Sequence, residues 1–202
     1  MVPRDEKYLE TLGSPFVSFY DLLMINTHYN CLDKCKFKPS AAKCENGGFP
    51  NPRKCKRCIC PSGYGGRLCN KRPRGCGKTL YADYSYNIFE DAVGTGPDTG
   101  ESEDFRVCHY WIQAPEGKRI EVTLMSFSEG YRSPGCRYAG VEIKTNRDQR
   151  MTGYRFCSHE DAGTVLVSES NIVPVITYNR ADQSKTVLRY RMGTTFVAVS
   201  MT

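Results

Sequence analysis

"RIEVTLMSF", residues 119–127, alternates the apolar side chains Ile120, Val122 and Leu124 with the polar side chains Glu121 and Thr123. Because successive side chains of a strand point to opposite faces of a sheet, this alternation predicts a half-buried β-strand. Comparable short stretches follow it, separated by turn-forming Gly, Pro, Asn and Asp: GVEIKT, GTVLVS, PVITYN, TVLRYRM and TTFVAVS. This succession predicts a two-sheet sandwich over residues 76–200, with a polar loop, EDAVGTGPDTGESED, early in it.

The cysteines indicate where the protein is used. The 202-residue chain contains eleven of them: Cys31 stands alone, six crowd into residues 35–69, and four are widely spaced from Cys76 to Cys157. This usage favours an oxidising, extracellular compartment, and we expect a secreted protein. The first residues contain no apolar segment typical of a signal peptide, so we expect the sequence to be part of a longer protein. No run approaches the roughly 18 apolar residues of a membrane span, and none is expected.

Residues 32–75 contain few bulky apolar side chains, and a unit of this size usually needs covalent cross-links. The stretch CICPSGYGGRLC resembles an EGF-like module. Spacing alone leaves the cysteine pairing open, but the resemblance implies the disulfides Cys35–Cys55, Cys44–Cys58 and Cys60–Cys69. The alternative is a zinc site at Cys55, Cys58 and Cys60, which an oxidising compartment and the lack of a nearby His disfavour.

The positive charge of the chain belongs to the same segment, which has twelve Lys and Arg against Asp33 and Glu45. The candidate binding cations form three clusters: Lys34, Lys36, Lys38 and Lys43; Arg53, Lys54, Lys56 and Arg57; and Lys71, Arg72 and Arg74. In a compact cross-linked unit their fields add. We expect them to bind an acidic polymer such as a sulfated glycan. The alternative is a solvated face without a partner, and nucleic acid is not expected in this compartment.

Residues 1–31 contain a helix signal. Ser18 and Asp21 form an S-x-x-D capping box, followed by the apolar run LLMI at residues 22–25. A helix of about ten residues is marginal without tertiary packing. Either it packs on the rest of this chain, or it is the last helix of a domain whose body lies outside the sequence. We favour the second, and expect residues 1–31 to be poorly ordered in the isolated chain.

Four stretches of residues 76–200 resemble a CUB domain: CGKTL, CHYWIQAPEGKRIEVTL, CRYAGVEIKT and MTGYRFCS. The resemblance implies a mainly β fold, an antiparallel β-sandwich of the jelly-roll type, preceded by the EGF-like module and the short N-terminal helix. It also implies the disulfides Cys76–Cys108 and Cys136–Cys157. Trp111 and Ile112 resemble the core signature that follows the second cysteine of the domain.

Neither calcium nor zinc is expected on this chain. Many CUB domains bind calcium through acidic loop residues, but Ala139 and Ala181 or Asp182 stand at the corresponding positions, and a single carboxylate is too few for a hard cation. The stretch SHED, residues 158–161, also offers too few ligands. The histidines do not form a metal motif: His28, His109 and His159.

The first stretch, VPRDEKYLETLGSPFVSFYDLLMINTHYNC, resembles the C-terminal tail of an astacin-type zinc endopeptidase. A catalytic domain followed by EGF-like and CUB modules is the order of nematode-type astacins. In that family the terminal cysteine bridges back to the catalytic domain, which implies that the partner of Cys31 lies outside this sequence. The zinc motif of the family, H-E-x-x-H-x-x-G-x-x-H, is not in the sequence, so zinc is implied for the longer parent and not for this chain.

Two functions from different classes follow. The first is the non-catalytic C-terminal region of a secreted astacin-type zinc endopeptidase: residues 1–31 as the tail of the catalytic domain, residues 32–75 as the EGF-like module and residues 76–200 as the CUB domain. These modules would localise the enzyme in the matrix or select its protein substrates. The second is a stand-alone extracellular EGF–CUB adhesion protein. A truncated gene model, with Met1 an internal methionine of a longer protein, is compatible with the first. The chain alone is expected to have no protease activity.

Overall fold

The structure is a computed structural model, which describes residues 2–96, 100–128 and 132–195. A 3-10 helix at Glu6–Thr11 is followed by two helices, α1 and α2, and eleven strands. The helices span Phe19–His28 (α1) and Asp33–Lys36 (α2). The strands span Phe49–Asn51 (β1), Lys54–Ile59 (β2), Thr79–Tyr81 (β3), Asn87–Gly94 (β4), Glu101–Gln113 (β5), Lys118–Ser128 (β6), Ala139–Ile143 (β7), Tyr154–Phe156 (β8), Val165–Val167 (β9), Ile172–Ala181 (β10) and Gln183–Thr195 (β11).

The sandwich consists of a five-stranded sheet, in the order β3-β5-β10-β7-β8, and a four-stranded sheet, in the order β4-β11-β6-β9. All pairs are antiparallel except the short pair of β3 with β5. Ile120, Val122 and Leu124 of β6 are buried between the sheets, as their alternation predicts. Burial of each such side chain contributes about 1.5–3 kcal/mol. The mainly β sandwich expected from the sequence is confirmed.

The cysteines of the structure are joined in five disulfides. Three lie in the small unit that precedes the sandwich, around the hairpin β1–β2: Cys35–Cys55, Cys44–Cys58 and Cys60–Cys69. Two lie in the sandwich: Cys76–Cys108 and Cys136–Cys157. These are the pairs that the two resemblances imply. Cys31 is free and half-buried.

The polar loop expected at EDAVGTGPDTGESED is much shorter than predicted. β4 continues to Gly94 and β5 begins at Glu101, and residues 97–99 lie outside the described residues. Polar residues are tolerated in these strands because their backbone groups are paired: Gln183 lies opposite Gly94, and Ala181 lies opposite Glu101. The Glu101 carboxylate also binds Arg180 at 2.8 Å. Of the last predicted strand, TTFVAVS, residues 194 and 195 end β11, and residues 196–200 lie outside the described residues.

Candidate functional site

The outer face of the five-stranded sheet, which points away from the other sheet, is covered by two other parts of the chain. Along β5, Cys108, Tyr110 and Ile112 point into the sandwich core, so their neighbours Val107, His109 and Trp111 belong to the outer face. Pairing between the strands adds the other outer residues, which include Pro174, Ile176, Tyr178, Glu142 and Arg155. The small disulfide-rich unit and the N-terminal segment both pack here.

The small disulfide-rich unit contacts the sheet through residues 62–64. The Trp111 indole Nε1 donates a hydrogen bond of 2.8 Å to the carbonyl oxygen of Gly63, and its ring lies 5.4 Å from that of Tyr64. Gly63 has φ of +80°, and a Cβ there would lie 2.7 Å from the Cβ of Pro174. Glycine is therefore required both for the turn and for this close approach.

Trp111 corrects an expectation. The resemblance groups it with Ile112 in the core signature of the domain, but only Ile112 belongs to the core of the sandwich. Trp111 packs instead with Tyr64 and Cys69 in a second cluster between the two units. Adjacent residues of a strand point to opposite faces, so the two side chains could not share one core.

Three charged side chains lie buried on this outer face: Lys144 is 2% exposed, Glu142 3% and Arg155 5%. Arg155 and Glu142 form an ion pair of 2.9 Å. The Lys144 Nζ donates to the carbonyl oxygen of Ser62 (3.0 Å), the hydroxyl of Ser62 (3.1 Å) and the carbonyl oxygen of Gln149 (2.8 Å). The Ser62 hydroxyl in turn donates to Glu142 at 3.2 Å. Burial lowers the pKa of Lys144 to about 8. The network closes only when the small unit is in place.

The N-terminal segment packs on the edge strand β8 through Tyr8 and on the outer face through Phe16. The ring of Tyr8 lies 4.5 Å from that of Tyr154, whose hydroxyl donates to Asp5 at 2.8 Å. Phe16 packs edge-on against Tyr178 at 4.9 Å. The Arg155 guanidinium also donates to the Ser14 hydroxyl. The segment is therefore attached by aromatic packing and by the same charged network.

These contacts correct the expectation that residues 1–31 have no partner in this chain. Tyr8 and Phe16 precede the helix without a periodic pattern, so spacing alone does not predict their packing. α1 begins in contact as well, since Phe19 is buried and lies 5.5 Å from Phe49 of β1. The Ser18 capping box predicted from the sequence is formed.

The far end of α1 is exposed. Met24 is 67% exposed and Tyr29 71% exposed, and Ile25 between them is exposed too. Cys31 follows directly. The two interpretations of the helix thus each describe one end of it: its first turn packs on this chain, and its apolar second half has no cover among the described residues.

A third contact joins all three parts of the molecule. The hydroxyl of Tyr20 on α1 donates to Asp148 at 2.7 Å, and Asp148 pairs with Arg150 at 2.8 Å. The Arg150 guanidinium and the Tyr20 hydroxyl hold the pKa of Asp148 well below its usual range. The Arg150 side chain also packs on Gly47 of the small unit, where a Cβ would lie 2.5 Å from its Cγ.

A cavity of about 390 Å³ remains beneath the N-terminal segment, between Phe16, Phe19 and Ile176, with the Glu142–Arg155 pair at its polar side. His109 lines it, and among the described residues its buried Nδ1 has no hydrogen-bond partner. Burial and the positive charge of Arg72 lower the pKa of His109, so the imidazole is neutral at neutral pH.

The structure separates the predicted basic residues into two kinds. Arg72 is half-buried, and its Nη1 donates to the carbonyl oxygens of Pro73, Cys76 and His109, so it fixes the chain between the two units. This placement corrects its assignment to a free binding cluster. The others are exposed: Lys34, Lys36, Lys38, Lys43, Arg53, Lys54, Lys56, Arg57, Lys71 and Arg74.

Several candidate metal ligands have other partners. In the described residues, the grouping with ligand-like spacing is Glu10 with Cys136 and Cys157, but both sulfurs belong to one disulfide. The Asp161 carboxylate of SHED accepts from the backbone amides of Cys157 and Ser158, and caps a 3-10 turn. Ala139 is buried, and Asp182 stands in the turn between β10 and β11. The described helices include none that is long and apolar enough to cross a membrane.

Known proteins resemble both the sandwich and the whole chain. Zinc metalloproteinase nas-31 of Caenorhabditis elegans is 45% identical over 202 residues, which is 100% of this chain and 33% of that protein. Zinc metalloproteinase nas-25 of the same organism is 37% identical over 182 residues, 88% of this chain and 45% of that protein. The chain thus spans less than half the length of these relatives, which confirm its resemblance to astacin-type zinc metalloproteinases.

Among solved structures, the CUB1-EGF-CUB2 domains of rat MASP-1 are 16% identical with a TM-score of 0.41, covering 58% of this chain and 44% of that one. A similarity this low supports no argument about function. Residues 76–189 match the family model described as CUB domain. Because this match covers more than half of the sequence, the chain belongs to the CUB domain family.

Proposed function

We propose that this chain is the non-catalytic C-terminal region of a secreted astacin-type zinc metalloendopeptidase, which localises the enzyme or selects its protein substrates. Zinc would belong to the catalytic domain of the parent, because the zinc motif of the family is not in this sequence. Similarity to zinc metalloproteinases along the whole chain supports the parent's identity. Five disulfides support secretion into an oxidising compartment.

The N-terminal segment is the observation that carries the proposal. Its first half is fixed to the CUB sheet through Tyr8 and Phe16, whereas the second half of α1 exposes Met24, Ile25 and Tyr29 beside the free Cys31. A helix so placed can be the joint between a catalytic domain and the modules. Covering the exposed apolar side chains would remove their surface from water, and a disulfide to Cys31 would fix the joint covalently.

Such a joint would hold the catalytic cleft at a constant orientation to the CUB domain, so that a large substrate could contact both. The modules would then matter for extended protein substrates and not for short peptides. The alternative, a stand-alone adhesion protein, gives no role to the exposed half of α1 or to an unpaired cysteine.

The test compares the full-length parent with a form that ends after Cys31. We expect removal of the modules to lower kcat/KM for a matrix protein by about tenfold or more, with no change for a short fluorogenic peptide. Peptide mapping of the parent should find Cys31 bonded to a cysteine of the catalytic domain. Equal loss on both substrates, or Cys31 bonded within this chain, would contradict the proposal.

A further inference from the structure

The exposed cations of the small unit are brought together by one disulfide. Lys34 and Lys36 flank Cys35 on α2, and Lys54 and Lys56 flank Cys55 on β2. The Cα atoms of the two cysteines are 5.4 Å apart, and the Cys55 sulfur lies 3.6 Å from the carbonyl oxygen of Lys34. Two clusters that are separate in sequence are therefore brought to the same end of the small unit, around this disulfide.

Arg67, which the sequence analysis did not include among the binding candidates, adds to these cations. Its Nε donates to the carbonyl oxygen of Lys56 at 2.8 Å, and its own carbonyl oxygen accepts from the amide of Cys58 at 2.9 Å. Its guanidinium therefore lies beside β2. The basic surface is defined here as six exposed residues: Lys34, Lys36, Lys54, Lys56, Arg57 and Arg67.

Little negative charge opposes the basic surface. None of its six cations forms an ion pair in the described parts of the chain. Of the two acidic residues in residues 32–75, Glu45 accepts a hydrogen bond from Asn70, and Asp33 is exposed at the start of α2. Cations held within about one Debye length, roughly 8 Å, reinforce one another's field toward an approaching anion.

The shape of the surface favours a linear polyanion. Lys54 and Lys56 lie on one side of an extended strand, where alternate residues are about 7 Å apart. Phe37, 84% exposed, stands at the edge of the surface, with the Lys36 ammonium 5.5 Å from its ring centroid. It offers one ring face to the carbon surface of a sugar. Among the described residues 32–75 it is the one large apolar side chain that is exposed, which is little for insertion into a membrane.

We propose that the basic surface binds a sulfated polysaccharide, and so gives the chain an anchor outside the CUB domain. The inference deepens the localising role under the proposed function and rests on it for the extracellular setting. Lys71 and Arg74 are outside the surface, and Arg72 has its hydrogen bonds to the backbone. The anchor therefore lies around α2 and β2 of the small unit.

The test measures binding of the whole chain, with Cys31→Ser to prevent dimers, to a heparin oligosaccharide and to a heparin column. We expect retention above physiological salt. The triple variant Lys36→Ser, Lys54→Ser, Lys56→Ser should bind about tenfold more weakly, because it removes three of the six exposed charges of the basic surface. A matched control removes the same charge from three exposed residues elsewhere: Lys7→Ser, Lys78→Ser and Arg106→Ser. It should bind like the unsubstituted chain.

Further probes decide the class of partner. Desulfated heparin, poly-glutamate and phosphatidylserine vesicles should each bind much more weakly than heparin at equal ionic strength. Equal binding of any of them, equal loss in the control variant, or elution at or below physiological salt would overturn the proposal. Chemical shift changes in residues 34–37 and 54–67 on addition of oligosaccharide would support it even if a variant folded poorly. None of these results depends on protease activity, so the proposed function can fail or stand separately.

Discussion

The two faces of the five-stranded sheet are both buried, but different chemistry buries them. The inner face presents Ile112, Val141 and Val173 to the other sheet, and burial there is a simple removal of apolar surface from water. The outer face presents Trp111, Glu142 and Lys144 to segments that precede the CUB domain in sequence. An apolar face can be covered by many apolar surfaces, whereas buried charges need the particular groups that pair with them.

The buried charges of the outer face explain why the small unit and the N-terminal segment each take one position on the sandwich. Ser62 supplies a carbonyl and a hydroxyl to Lys144, and Ser14 accepts from Arg155. If either segment shifted, a buried charge would lose its partner. The outer face therefore holds the small unit and the N-terminal segment at a defined position on the sandwich.

The largest expected effect comes from Glu142→Ala. The substitution leaves Lys144 and Arg155 buried without their carboxylate, and removal of one partner of a buried ion pair typically costs about 3–5 kcal/mol. We expect a loss of this size in denaturant unfolding, together with faster amide exchange across residues 5–19 and 62–64.

Ile112→Val on the inner face is the matched control. It should cost about 1 kcal/mol and leave exchange in the N-terminal segment unchanged relative to the core. Comparable effects of the two variants on residues 5–19 would mean that the outer face has no special part in holding the segment.

A smaller effect should appear as a pH dependence of stability. Burial lowers the pKa of Lys144 from 10.5 to about 8, so between these values the unfolded chain binds more protons than the folded chain. Stability contributed by this site therefore rises with pH between about 8 and 10.5 and is flat below. In a Cys31→Ser background, the free energy of unfolding relative to Lys144→Met should increase by about 2 kcal/mol from pH 8 to 10.

Buried tyrosines have the opposite effect, because they make the stability of the fold decrease as the pH rises. Burial raises the pKa of Tyr64 and of Tyr178, so the folded chain keeps protons that the unfolded chain releases above about pH 10. The tyrosines are the same in the Cys31→Ser chain and in its Lys144→Met variant, so their effect cancels in the difference between the two free energies of unfolding. A flat difference between pH 8 and 10 would show that Lys144 is solvated, and that the outer face is open.

The smallest expected effect is that of Tyr20→Phe. The lost hydrogen bond to Asp148 lies at an exposed edge of the junction, so we expect a cost of about 0.5 kcal/mol. Urea unfolding of both proteins would measure it. A larger loss of stability than that of Ile112→Val would show that α1 is attached mainly through Tyr20 at this edge, and not through Phe16 and Phe19.

Much of the inner face could be predicted from the sequence. Alternation of Ile120, Val122 and Leu124 is a local pattern, and it identifies a strand with one apolar side. The resemblance to known modules implied the disulfide pairs. The polar start of β5 could not be predicted in this way, because strands paired through their backbone need no apolar period when both faces meet solvent.

The contacts of the outer face could not be predicted from the sequence, because their residues show no pattern that differs from that of a solvent-facing surface. Glu142 and Lys144 alternate with apolar residues in GVEIKT, which is also the pattern of a solvent-facing side. Tyr8 and Phe16 stand in an irregular segment, where spacing carries no information about partners. Arg72 looked like one cation among twelve, and its three carbonyl partners become visible only in three dimensions.

The contacts on the outer face imply that the N-terminal segment, the small disulfide-rich unit and the sandwich form one rigid body. Backbone ¹⁵N relaxation of the Cys31→Ser chain tests it most directly, because it reports the tumbling of each part separately. We predict one rotational correlation time for residues 6–19, 49–59 and 139–143, with uniformly high order parameters. Shorter correlation times for residues 49–59 than for residues 139–143, or low order parameters in residues 6–19, would show that these parts move independently and are not one rigid body.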